Sequence, residues 1–263
     1  MGIVNIEDEL HEQLRRASRA SCRSINGQAA FWIRLGMLCE LNPGLSFQDL
    51  MARELKARPA SKGQYGYGFV LNSSRNAVVC HGVPSADEVL ADGDIVNLDI
   101  TLEKHGFIAD SSKTYLIGEV AAPARRLART TQEALWKGIR AVRPGASLGD
   151  IGFAIEQHAR KAGYSVVREY CGHGIGREMH EAPQVLHYGK RGTGLTLKEG
   201  MVFTIEPMIN QGRREVLEDE DGWTVLTADG KLSAQFEHTV AVTKDGVDVL
   251  TLRRDETAMP VSA

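Results

Sequence analysis

What this sequence lacks narrows it first. No apolar run approaches the roughly 20 residues that a membrane-spanning helix needs. The N-terminus lacks the charged-then-apolar pattern of a secretory leader, so the expected location is the cytoplasm. There is no excess of positive charge: 31 basic side chains face 34 acidic ones, which leaves no basic field to draw in nucleic acid. Cysteine is scarce. Cys22, Cys39, Cys80 and Cys171 form no CxxC pair, and they read as reduced thiols rather than a disulfide frame. What is present is 263 residues with 43% hydrophobic content, enough for one large core or one core with a small appendage.

Two stretches share a pattern. NPGLSFQDL (42–50) and RPGASLGDI (143–151) each have a Pro-Gly break, a serine, and an aspartate three residues later. That is a helix stop followed by an N-cap with an acidic partner. Each follows a helical segment, roughly 27–41 and 123–142. Each leads on to a β-rich segment with a histidine, His81 in the first and His173 in the second. The shared order predicts a duplicated helix–helix–sheet unit with a cleft between the copies. Residues 1–41 read as a strand–helix–helix segment whose 27–41 helix also fills the first helix position of the repeat, 42–255 as the main domain and 256–263 as a tail. The first segment resembles the ribbon–helix–helix of bacterial antitoxins, which implies a monomer or a dimer formed through it. Glu7, Asp8 and Glu9 crowd the face that would approach phosphate, which argues against nucleic-acid binding.

Residues 170–184, YCGHGIGREMHEAPQ, hold His173 and His180 in a stretch too rich in glycine for a helix. It reads as a loop in which Gly172, Gly174 and Gly176 let the backbone turn tightly. Residues 94–118 alternate, with Asn97, Asp99 and Thr101 on one face and Val96, Leu98, Ile100 and Leu102 on the other. This predicts a hairpin folded about Lys104 and His105, with Asp99 directly opposite Asp110 and their Cβ atoms roughly 5 Å apart. Two facing carboxylates repel. A shared proton, a nearby Arg or Lys, or a bound cation would relieve this. The flanking Asn97 and Thr101 supply no charge.

MVFTIEPMIN (201–210) and LSAQFEHTVAVT (232–243) are strand-like, and each holds one glutamate, Glu206 or Glu237, among apolar or small residues. Such a carboxylate is costly to bury unless it is paired, protonated or metal-bound. Four carboxylates and a histidine together favour the cation. The donor set suits a pair of divalent ions such as Mn, Co, Fe or Zn, about 3.5–4 Å apart and activating one shared water. His11, His105, His158, His187 and His238 read as ordinary surface or core residues. His238 follows Glu237, so strand alternation turns it to the opposite face.

The motifs VCHGVP, DIVNLDI, FIADSSKTY, REYCGHGIGREMHEAP, GMVFTIEPM and SAQFEHTVAV run in order through roughly 43–253. They resemble those of the type I methionine aminopeptidases. The resemblance implies the pita-bread fold, an α+β architecture in which a curved antiparallel sheet is covered by helices with pseudo-two-fold internal duplication. It implies that Asp99 chelates one ion, that Asp110 and Glu237 bridge both, and that His173 and Glu206 complete the second. His180 would then donate to the scissile carbonyl, His81 would contact the peptide nitrogen, and Glu206 would shuttle the proton. Tyr67, Met179 and Trp223 would line the methionine pocket. Backbone carbonyls of Asn76, Val78 and Ser233 would hold a monovalent cation.

The implied activity is removal of the N-terminal methionine from nascent proteins and peptides with a small second residue, at the ribosome. Three positions depart from the family. Met179 stands where an aromatic residue is usual, Asn72 where cysteine is common, and Gln64 where tyrosine is common. These departures leave two alternatives: a related aminopeptidase or prolidase with another first-residue preference, or a non-catalytic binding paralogue.

Overall fold

The computed structural model describes residues 7–20 and 57–256. Two compact units divide them. Helix α1 (Asp8–Ala20) and the single turn Arg254–Glu256 belong to one, and residues 59–252 form the other. Asp8 and Glu9 in the first turn of α1 complement the positive end of the helix. Of the ribbon–helix–helix reading, only this charged helix is described. Its strand, its second helix and the first Pro-Gly break at 42–50 lie outside the described residues. No helix among the described residues is long and apolar enough to cross a membrane.

The strands follow in chain order. β1 (Arg58–Pro59), β2 (Asn72–Arg75) and β3 (Val78–Cys80) precede a long pair, β4 (Ile95–Lys104) and β5 (Phe107–Leu116). After helices α2 (Ala122–Arg140) and α3 (Leu148–Lys161) come β6 (Ser165–Val166), β7 (Gly172–Gly174), β8 (Glu181–Val185), β9 (Val202–Ile205) and β10 (Met208–Asn210). The last are β11 (Val216–Glu218), β12 (Val225–Thr227), β13 (Ser233–Gln235), β14 (His238–Val242) and β15 (Val247–Val249). β14, β9, β7 and β8 run side by side in an antiparallel sheet edged by β15, and β4 lies between β2 and β5 in another. The class is α+β, as expected.

The β4–β5 hairpin corrects the expected register. Asp110 pairs with Thr101, and Asp99 pairs with Ser112, two residues away from the predicted opposition. The two loop residues are His105 and Gly106, with φ of 55° and 78°. A tight two-residue turn needs positive φ at both central positions, so glycine belongs in the loop and not in the last pair. The shift is even, so Asp99 and Asp110 still share a face, now as diagonal neighbours.

α2 and α3 supply the core. Leu127, Leu135, Trp136, Ile139, Ile151 and Ile155 are fully buried with Phe203, Ile205, Ile209 and Val240 from the strands. Burial of each such side chain contributes about 1.5–3 kcal/mol. Gly138 lets the helices approach, because a Cβ there would sit 2.8 Å from Ile155 Cδ1. α3 starts at the expected cap, where the Asp150 carboxylate accepts from both the Ser147 N–H and Oγ at 2.8 Å.

The stretch expected as a glycine-rich loop contains a strand, β7, paired on both edges. Its glycines answer to packing and not to turning. A Cβ on Gly172 would stand 2.4 Å from the Thr204 carbonyl oxygen, and one on Gly174 would stand 2.1 Å from that of Ala182.

Candidate metal centre

The inner face of the hairpin meets β7 and the ends of β9 and β13 around a cavity of about 590 Å³. Asp99, Asp110, His173, Glu206 and Glu237 all line it, as do His81, His180, Tyr67, Met179 and Trp223. Gln64 and Asn72 line it too. Donor atoms of Asp110, His173 and Glu237 lie within 4.8 Å of one another.

Asp99, Asp110, His173 and Glu206 are each held by a neighbour. Asp110 Oδ1 accepts from Thr101 Oγ1 at 2.9 Å. Asp99 Oδ2 accepts from Asn72 Nδ2 at 3.1 Å, while its buried Oδ1 has no donor. Glu206 accepts from Thr204 Oγ1 at 2.8 Å and from Gln235 Nε2 at 3.3 Å. The Thr204 hydroxyl also accepts from the His173 N–H at 3.0 Å, so one side chain ties two candidates together. His173 Nδ1 faces the Gly174 carbonyl at 3.0 Å, which makes Nδ1 the protonated nitrogen and leaves Nε2 a bare acceptor, 3.5 Å from Glu206 Oε1.

The electrostatics are those of an excess of buried acid. Burial, and then the charge of Asp110, pushes Asp99 and Glu206 well above the usual carboxylate range. Burial also raises Asp110, against the opposing hydrogen bond from Thr101. Burial lowers the pKa of His173. Burial and then His173 bring His180 down to about 4, so its ring is neutral at pH 7. Burial lowers His81 as well, against the pull of Asp99.

No lysine or arginine lines the cavity among the described residues. The four carboxylates Asp99, Asp110, Glu206 and Glu237 therefore face one another with no cationic side chain between them. An unpaired buried Asp99 oxygen, a bare His173 nitrogen and four carboxylates fit two divalent cations, whose charge would balance them.

His180 stacks on Tyr65, with centroids 5.7 Å apart, and the Tyr65 hydroxyl is 3.3 Å from its Nδ1. The His173 and His180 rings are 4.4 Å apart. His81 has φ of 55° and meets Tyr170 edge-on. Tyr67 and Trp223 meet edge to face at 5.0 Å. Asn76, Val78 and Ser233 are not part of the cavity wall, although the Ser233 N–H donates to the Asn76 carbonyl at 2.9 Å. His238 turns away as expected, its Nδ1 2.9 Å from Thr251 Oγ1.

Sequence reasoning missed several supporting residues. Thr204 and Gln235 each lie two positions from a ligand candidate, and strand alternation alone could have flagged them, while Thr101, already placed on the Asp99 face, proves to be the donor to Asp110. His187 gave no such signal. It is fully buried, brought down to about 3 by burial, and its Nε2 accepts the Glu206 N–H at 3.1 Å.

Residues 12–244 match the model of metallopeptidase family M24. Methionine aminopeptidase B of Synechocystis is 44% identical over 262 residues, covering 95% of this chain and 92% of that protein. A methionine aminopeptidase of Escherichia coli is 51% identical over 209 residues, 80% of this chain and 79% of that one. The crystal structure of methionine aminopeptidase from Rickettsia prowazekii superposes with a TM-score of 0.76 at 43% identity, covering 95% of this chain and 100% of that one.

Proposed function

The chain belongs to metallopeptidase family M24, and from that premise we propose that it removes the N-terminal methionine of nascent proteins and peptides whose second residue is small. The observation that carries this is the cluster of Asp110, His173 and Glu237 donor atoms within 4.8 Å, flanked by Asp99 and Glu206. Asp99, Asp110, His173, Glu206 and Glu237 would hold two divalent cations, drawn from Co, Mn, Fe or Zn on the chemistry of the donors. When bound, such a pair lowers the pKa of a shared water toward neutrality and polarises the scissile carbonyl.

The chain's own residues do the rest. Glu206 would take a proton from the attacking water and return it to the leaving amine. His180 is neutral, so it has a single N–H to give. A Tyr65 hydroxyl that donates to Nδ1 would place that N–H on Nε2, free to meet the developing oxyanion. His81, also neutral, contacts the peptide nitrogen. Tyr67, Met179 and Trp223 enclose the methionine side chain, and a thioether is well suited to a pocket with Met179 in its wall.

The monovalent cation site at Asn76, Val78 and Ser233 belongs to the same reading, supported by the adjacency of Asn76 and Ser233. So do a cytoplasmic location, action at the ribosome and either a monomer or a dimer through the N-terminal segment. The two alternatives, another first-residue preference and a non-catalytic paralogue, are not favoured by relatives that are methionine aminopeptidases.

The test is turnover by metal-stripped protein with Mn, Co, Fe or Zn added back, on Met-Ala peptides beside matched Leu- and Ala-initiated ones. Metal-dependent release of methionine alone is expected. Metal binding without turnover of any peptide would sink the proposal.

A further inference from the structure

Asn72 stands where the resembling family commonly has cysteine, and its place in the fold gives that exchange a consequence. It lies on β2 directly opposite Asp99 on β4, as a register pair. Asn72 Nδ2 donates to Asp99 Oδ2 at 3.1 Å. The amide must present its NH₂ there, because a carboxylate offers only acceptors. Asp99 Oδ1 is buried without a donor, and both residues line the cavity.

One N–H on Oδ2 restrains the plane of the carboxylate and leaves lone pairs on both oxygens for a cation. We propose that Asn72 is a positioning residue for the metal centre: its amide fixes the orientation of the Asp99 carboxylate so that it is turned toward a divalent cation. This rests on Asp99 being a ligand, as read above.

The choice of donor fits the task. A lysine or arginine opposite Asp99 would form an ion pair and compete with the cation, and none lines the cavity among the described residues. An amide holds the oxygen with no charge of its own. A thiol is a weak donor and would hold it less firmly. Orienting partners of this kind typically change metal affinity by about 10- to 100-fold. Asn72 thus links the methionine pocket, whose wall it shares, to the metal centre.

The experiment is calorimetric titration of metal-stripped full-length protein with Mn²⁺, for wild type, Asn72→Leu, Asn72→Cys and Asp99→Ala. Thermal midpoints of the metal-free forms serve as folding controls. Asn72→Leu keeps the volume and loses the donor, and should weaken Mn²⁺ binding about 10-fold or more. Asn72→Cys should fall between it and wild type, and it carries the test if Asn72→Leu does not fold. Asn72 variants that bind like wild type, while Asp99→Ala binds poorly, would overturn the inference and leave the ligand assignment standing. Wild-type binding by Asp99→Ala would instead overturn the ligand assignment and the inference with it.

Discussion

The wall of the cavity that holds Asp99, Asp110, His173, Glu206 and Glu237 is built on strands and strand ends, whereas Tyr65, Tyr67, Met179 and Trp223 face it from segments between strands. On the first wall Asp99 and Asp110 have hydrogen-bond partners fixed by sheet register, Asn72 and Thr101, while His173 and Glu206 are held by near neighbours in the chain, the Gly174 carbonyl and Thr204. On the second, ring contacts between Tyr67, Phe69 and Trp223 dominate, and Tyr65 is 75% exposed. Strands fix spacing to within the precision that metal chemistry demands, while loops can exchange residues without moving the sheet. The family departures at Gln64 and Met179 fall on the loop wall. The departure at Asn72 is on a strand, where it touches a ligand candidate.

Predictions follow from setting one wall against the other. The largest effect belongs to Asp110→Ala, which should abolish metal-dependent methionine release and Mn²⁺ binding at the cluster together. Retained turnover in a peptide assay would break the distinction at its root. His180→Ala should lower kcat by about 10²–10³ with metal content unchanged by elemental analysis, as expected for loss of an oxyanion donor. Thr204→Val removes the hydroxyl shared by His173 and Glu206. It should weaken Mn²⁺ binding about 10-fold by calorimetry, with a stability loss of about 1 kcal/mol in urea unfolding.

Met179→Ala, on the other wall, should leave Mn²⁺ affinity unchanged and reduce the preference for methionine over leucine by about 10-fold in kcat/KM. The smallest effect lies away from both walls. Asp150→Asn should cost about 1 kcal/mol at neutral pH through the α3 cap and leave kcat alone. Hydrogen bonds from Ser147 hold the Asp150 pKa below its usual 3.8. Its stabilisation is therefore present above that value and fades as pH falls through the folded pKa, so the wild-type and variant unfolding curves should converge in acid.

Much of the site was legible because its residues are costly where they stand. Glutamates in apolar strands and aspartates on one strand face signal compensation, whatever the details. The register was not legible. The turn chemistry of His105-Gly106 decided it, and an even slip preserves face parity, which is why the predicted pairing was wrong while the two aspartates still share a face. The glycines around His173 were visible, but their purpose was not. Close approach to the Thr204 and Ala182 carbonyls is set by the two strands that flank β7, which local pattern does not identify. His187 carried no local mark at all, because its partner is a backbone N–H nineteen residues away.

The sequence by itself determined which residues face which side of each strand, because alternation is a local property of the extended chain. From that came the set of carboxylates and the histidine that make a metal centre. Only the tertiary structure decided which oxygen is tied and which is free, which histidine nitrogen is bare, and that one threonine hydroxyl serves two candidates. Those facts depend on distances between segments far apart in the chain, and such distances are fixed by packing and not by any local rule.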